Sequence, residues 1–277
     1  MRRNPKHQRG ARDSYGAVVK VIGIEACRAL FASRPNAVRR LLIMPEAAEL
    51  FGDLIRWCKE KRVPYRLASA EEITKITETP RHDGVCIIAR KKALGKPEAL
   101  LTYVDRTRGP LMLPLVEELK NPNNVGAVLR VCGFFGASFL MAAGDTVGLS
   151  MATMRTAQGA AESVDLVRVG DGRLILSELK KRGFKIIATS SHAQRILGGA
   201  QLPARAVVMF GSENRGLSDR LASVADLELA IPGAGTVESL NIACAASVSL
   251  WEHWRAWRMR DHAAAPTSTA TTRDQNP

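Results

Sequence analysis

The sequence predicts an α/β protein with a parallel sheet in its larger part. Two observations carry that prediction. Apolar runs of strand length alternate with amphipathic runs of helix length along most of the 277 residues, which is the pattern of strands joined by crossover helices. Three glycine- and amide-rich segments stand where apolar runs stop, and strand ends are where α/β sheets bind ligands.

The elements follow in order. Gly23 to Phe31 reads as a helix and Val38 to Met44 as a strand stopped by Pro45. Glu46 to Lys61 reads as one amphipathic helix, with Leu50, Leu54, Ile55, Trp57 and Cys58 on or near one face. Pro64 to Leu67 is a short strand. Ser69 precedes Glu72 by three residues, a capping-box spacing that starts a helix. Gly84 to Ala89 reads as a buried strand. Residues 95–110 carry Gly95, Pro97, Gly109 and Pro110 and read as a linker, in which Leu100 to Val104 can form a strand. Beyond it, strands are expected at Leu111 to Glu117, Ser138 to Ala142, Lys185 to Thr189, Ala206 to Phe210 and Leu227 to Ile231. Helices are expected at Val125 to Phe135, Leu174 to Arg182 and Asn241 to Arg258. The organisation is then a disordered basic tail at 1–14, a small α/β domain at 15–94, the linker, a larger α/β domain at 111–260 and a disordered tail at 261–277.

Composition narrows the function. Apolar residues make up 46% of the chain, enough for true cores, yet no apolar run reaches the roughly 18 residues of a membrane span. The N-terminus is basic without a following apolar stretch, so a cytoplasmic protein is expected. Cys27, Cys58, Cys86, Cys132 and Cys244 are scattered singly, and the histidines show no ligand spacing; reduced thiols and no metal are expected. The net charge of +13 calls for an anionic partner, and its clustering at Arg39-Arg40, Lys59 to Arg62 and Arg90 to Lys92 points to nucleic acid. Aromatics are only 5%, which disfavours a base-stacking platform.

The three segments carry the chemistry. Asn121-Pro122-Asn123-Asn124 makes a turn into a helix whose first turn holds Gly126, where another backbone or a ligand can come close. Arg130 lies about one turn further on, placed to meet a phosphate or a hydroxyl. Gly211 to Gly216 follows an apolar strand, but it has neither the GxGxxG of a dinucleotide loop nor the Lys-Ser/Thr of a phosphate loop. The third runs from Ile231-Pro232 through Ser239-Leu240-Asn241 into a helix rich in small residues, Ala243 to Ser249. Ser239 is a favoured residue type for capping that helix.

Taken in this order, the segments resemble the three signature motifs of the SpoU (TrmH) family of RNA ribose methyltransferases, within the SPOUT class. Gly233, where the family usually has Met, is similar to its YfiF-like branch. More weakly, Gly23 to Ala26 and His82 to Val85 resemble the ribosomal-protein-like RNA-binding domain that often precedes the catalytic domain. The resemblance implies a SPOUT domain with a deep trefoil knot, a homodimer through that domain, and S-adenosylmethionine as cofactor. It implies catalytic roles for Arg130, Asn124, Ser239, Asn241 and, more structurally, Glu213. It implies cofactor contacts at Thr189, Gly211, Ile231 and Leu240, and RNA contacts at Arg255 and Arg258. The implied reaction is methylation of a ribose 2′-hydroxyl in rRNA or tRNA. Two alternatives stay open: a non-catalytic RNA-binding or ribosome-assembly protein with the same fold, and a base methyltransferase. The second would favour a carboxylate base, and no acid is placed for that role.

Overall fold

The computed structural model describes residues 18–199, 202–212 and 215–259. The two expected tails and Glu213 lie outside the described residues. The N-terminal domain runs β1 (Val18–Ile22), α1 (Ile24–Ser33), β2 (Val38–Ile43), α2 (Pro45–Ala48), α3 (Gly52–Glu60), β3 (Tyr65–Leu67), α4 (Ala70–Thr77) and β4 (Val85–Arg90). Its sheet has the order β1-β4-β2-β3. β4 is antiparallel to β1 and β2, and β3 is parallel to β2.

The period-two pattern of β2 and β4 sends alternate residues to opposite faces. Leu41 and Ile87 pack with Leu30, Leu54 and Cys58 of α1 and α3, while Leu42 and Cys86 pack with Ile73 of α4. The capping box at α4 is present in full, with the Ser69 side chain on the Glu72 amide and the Glu72 carboxylate on the Ser69 amide. The single helix expected over 46–61 is broken. Phe51 leaves helical backbone at φ −129°, ψ 27° and buries its ring, and α3 restarts at Gly52.

The 95–110 segment also departs from expectation. Leu100 to Val104 is not a strand but part of α5 (Pro97–Arg106). Pro97 suits the first helical turn, and Leu100 and Val104, one turn apart, are both buried against the second domain's sheet. The apolar run was helical in period. Gly95 adds a parallel bridge to Val167, so the segment is packed rather than free.

The second domain runs β5 (Leu111–Glu117), α6 (Pro122–Phe134), β6 (Phe139–Ala143), α7 (Met151–Thr156), α8 (Ala160–Ser163), β7 (Asp165–Arg168), α9 (Arg173–Lys181), β8 (Lys185–Thr189), β9 (Arg205–Phe210), α10 (Asp219–Ala222), β10 (Leu227–Leu229) and α11 (Ile242–Trp257). β7, α7, α8 and α10 were not read from the sequence. The sheet is six-stranded in the order β10-β8-β9-β5-β6-β7, with every pairing parallel. α6 and α11 cover one face through Val128, Leu129, Ala246 and Leu250. α5, α9 and α10 cover the other through Val104, Leu179 and Leu221. Both faces being covered explains why the strands read as continuous apolar runs.

Candidate active site

Parallel strands put all their C-terminal ends on one edge. The three motif segments leave that edge from β5, β9 and β10. The chain steps outward from β5 to β6 and β7, then returns through β8 and β9 to the other side of β5. The strand order reverses between β5 and β9, and such a reversal opens a crevice beyond the strand ends.

The first motif leaves the end of β5 and opens α6. Asn121 caps α6, its side-chain oxygen accepting the Asn123 amide at 2.9 Å. At Gly126 a Cβ would lie 2.5 Å from the Thr153 carbonyl oxygen and 2.7 Å from the Thr156 Cβ. The close approach expected at this glycine is therefore made by the backbone of α7. Arg130, a turn further on, is exposed, and its side chain makes no hydrogen bond or ion pair to any described residue. Burial pushes Cys132, on the same helix, up to about 12, so it stays a neutral thiol and is no candidate nucleophile.

The second motif is a tight loop. Ser212 and Gly216 exchange backbone hydrogen bonds at 3.0 Å. A Cβ on Gly211 would overlap the backbone of Gly216 and Leu217, so no other residue fits the loop as it stands. Its exit is pinned by Glu117 at the end of β5, whose carboxylate accepts the Ser218 amide at 2.8 Å and the Ser218 hydroxyl at 2.7 Å. Sequence reasoning missed Glu117 as part of the site. Its signal was an acid at a strand end before one motif and a Ser just after another.

The third motif is open, with Pro232 to Asn241 exposed throughout. Ser239 does not cap α11. The helix begins at Ile242, and the cap is Asn241, whose side-chain oxygen accepts the Ala243 amide at 2.9 Å. The amide nitrogen of Asn241 donates to the side-chain oxygen of Asn124 at 3.4 Å. Motifs one and three, 117 positions apart, thus meet at the crevice. Around Gly233 a Cβ would find nothing within 4 Å.

Two of the four expected cofactor residues share a cleft. Thr189 and Ile231 line it with Ile187, Leu197, Val208 and Leu229. The Thr189 hydroxyl donates to the Met209 carbonyl at 2.8 Å, tying the cleft to the strand that ends at Gly211. Leu240 is 49% exposed and stands outside the lining. The lining of this cleft is mostly apolar. Arg255 and Arg258 lie at the far end of α11, about 21 and about 25 Å from Asn241 at about 1.5 Å per residue. Arg255 is held by Glu252 at 2.7 Å, and Arg258 donates to the Pro110 carbonyl at 3.3 Å.

Comparison with known proteins places the chain in a family. Residues 112–251 match the SpoU rRNA methylase family, and residues 20–94 match the RNA 2′-O ribose methyltransferase substrate-binding family. The chain belongs to the SpoU rRNA methylase family. It is 32% identical over 237 residues to YfiF of Escherichia coli O157:H7, an uncharacterised tRNA/rRNA methyltransferase, covering 85% of this chain and 68% of that one. It is 34% identical over 186 residues to the 23S rRNA (guanosine-2′-O-)-methyltransferase RlmB of Ralstonia nicotianae, covering 67% of this chain and 74% of the relative. Its fold is similar to AviRb of Streptomyces viridochromogenes in complex with AdoMet, with a TM-score of 0.69 and 21% identity over 90% of this chain and 93% of that one.

Proposed function

We propose that this chain transfers the methyl group of S-adenosylmethionine to a ribose 2′-hydroxyl in rRNA or tRNA. The observation that carries this is the Asn241–Asn124 hydrogen bond at the β5/β9 crevice, with Arg130 exposed on the same helix as Asn124. Thr189, Gly211 and Ile231 are proposed to hold the cofactor, together with Leu240 on the open loop. The cofactor supplies a methyl group that is already electrophilic. What the chain must add is in-line orientation of the acceptor, which can be worth roughly 7–11 kcal/mol, and relief of the hydroxyl proton. A guanidinium carries five N–H donors and no acceptor, so it cannot serve as a free base. Arg130 is therefore assigned to hold RNA phosphate and to stabilise negative charge growing on the 2′-oxygen. Asn124 and Asn241 orient the ribose, and the Ser239 hydroxyl relays the 2′-hydroxyl proton to an RNA phosphate oxygen or to solvent as the methyl–sulfur bond breaks and the methyl–oxygen bond forms. Glu213 is proposed as a structural tie of the second loop.

The proposal extends to a deep trefoil knot formed by the segments after β9 and β10, to cytoplasmic action, and to a homodimer. The dimer reading is supported by an apolar surface on α6 and α11. Phe134 is 81% exposed and Trp251 42% exposed. Phe135 stands 6.4 Å from Trp251, which stacks on Trp254 at 5.8 Å. Arg255 and Arg258 are proposed as RNA contacts away from the crevice. Among the described residues no helix is long and apolar enough to cross a membrane.

The test is Arg130→Ala. It is expected to fold, to bind cofactor as the parent does, and to lose methyl transfer by at least 100-fold. Full activity would remove Arg130 from the mechanism. A parent chain that binds RNA but no S-adenosylmethionine would instead favour the non-catalytic reading.

A further inference from the structure

The two domains are joined by more than the segment between them. Glu162 of α8 is 2% exposed at its side chain and accepts two hydrogen bonds from Arg34, at 2.6 Å from Nε and 2.9 Å from Nη2. The third nitrogen of that guanidinium donates to the Arg90 carbonyl at 2.7 Å, so Arg34 is also anchored in its own domain. Such a forked pair fixes orientation as well as distance. Lys92 donates to the carbonyls of Ala161 and Glu162 at 3.0 Å and of Val164 at 3.1 Å, and pairs with Asp165 at 2.9 Å. It satisfies the carbonyls that end a short helix and have no partner within it. Gly159 lets the backbones meet: a Cβ there would lie 2.8 Å from the Ala29 Cβ and 3.2 Å from the Glu25 carbonyl oxygen. One apolar cluster contains Val21 and Leu30 of the first domain with Leu129 and Ala161 of the second.

This seat reaches the first motif. α7, next to α8, touches α6 at Gly126, and the Thr156 hydroxyl donates to the Asn123 side-chain oxygen at 3.0 Å. Asn123 adjoins Asn124.

We infer that Arg34 and Lys92 clamp the N-terminal domain at a fixed offset from the crevice, so that the clamp selects which nucleotide reaches Arg130. The inference rests on the proposed RNA methylation. Arg34, Lys92 and Glu162 are positioning residues and touch no substrate. Two RNA-contacting parts held as one body bind without ordering each other, whereas tethered parts lose affinity and admit many offsets.

The test compares the parent with Arg34→Met/Glu162→Met and with Lys92→Met. The paired replacement removes both charges together, because Arg34→Met alone would leave Glu162 buried and unpaired and could unfold the protein. Binding to total rRNA and tRNA, S-adenosylmethionine affinity and the position of methyl label are measured on each. Unchanged cofactor affinity, RNA affinity about tenfold weaker and label spread to nucleotides the parent leaves untouched are expected. Parental RNA affinity and labelling in the folded variants would overturn the clamp, as would an equal loss of cofactor affinity, which marks a merely structural role. If the parent binds RNA but transfers no methyl, the methylation reading fails, and the RNA-affinity comparison still decides the clamp.

Discussion

The side-chain amide of Asn241 donates to the side-chain oxygen of Asn124 at 3.4 Å, while its own oxygen caps α11 at 2.9 Å. One residue therefore starts the last helix and joins the first motif to the third. The two roles separate by substitution. Asn241→Ala is expected to cost about 1 kcal/mol of stability through the lost cap and to lower methyl transfer 10- to 100-fold. Asn241→Asp keeps a capping oxygen but loses the amide donor, so its unfolding midpoint stays near the parent's while its activity falls like that of Asn241→Ala. Equal activity in Asn241→Asp and the parent would show that the link to Asn124 has no catalytic consequence.

The two motif glycines should respond in opposite ways. Gly211→Ala places a methyl group inside the backbone of Gly216 and Leu217, which the loop can relieve only by moving. Cofactor binding measured by calorimetry is expected to fall at least tenfold. Gly233 has open space around it and no left-handed backbone. Gly233→Met is expected to leave stability within about 0.5 kcal/mol, as surface changes usually do, and to alter cofactor affinity alone.

His253 gives the fold a pH signature. Its Nε2 lies 3.0 Å from the Ala204 carbonyl oxygen. Burial holds its pKa below the ordinary 6.5 despite that bond, and Arg258 pushes the same way. The folded protein thus takes up this proton less readily than the unfolded chain. The associated stability is complete above pH 6.5 and declines as pH falls below it, by at most about 1.4 kcal/mol per pH unit. Urea midpoints at pH 7.5 and 5.5 measure the loss, and His253→Gln is expected to flatten it.

The exposed aromatic surface carries the dimer proposal. Phe134→Glu adds charge at a residue that is 81% exposed and gives up an edge contact with Phe135, so the fold should be retained. Sedimentation is expected to show the parent as a dimer and this variant as a monomer. A monomeric parent would leave that surface without the proposed partner.

Much of this was legible in the sequence. The apolar runs of β5, β8 and β9 are buried on both faces and bounded by turn residues, so their periodicity leaves little freedom. The Ser69–Glu72 capping box was readable because its chemistry is local. The 95–110 segment was misjudged because glycine and proline at its ends outweighed the helical spacing of Leu100 and Val104. Ser239 is of a favoured capping type, yet Asn241 caps α11, because residue type alone does not say where a helix begins. Glu117, Thr156 and the Arg34–Glu162 pair escaped because their partners lie 101, 33 and 128 residues away, and only the assembled sheet brings them together.

Methyl transfer to ribose is tested most directly with the purified chain, tritiated S-adenosylmethionine, and rRNA and tRNA from cells lacking the gene. After digestion to nucleosides, label is expected in a 2′-O-methyl nucleoside from one of the two RNA pools. Label confined to a base-methylated nucleoside, or no transfer to either pool by a chain that binds both cofactor and RNA, would contradict it.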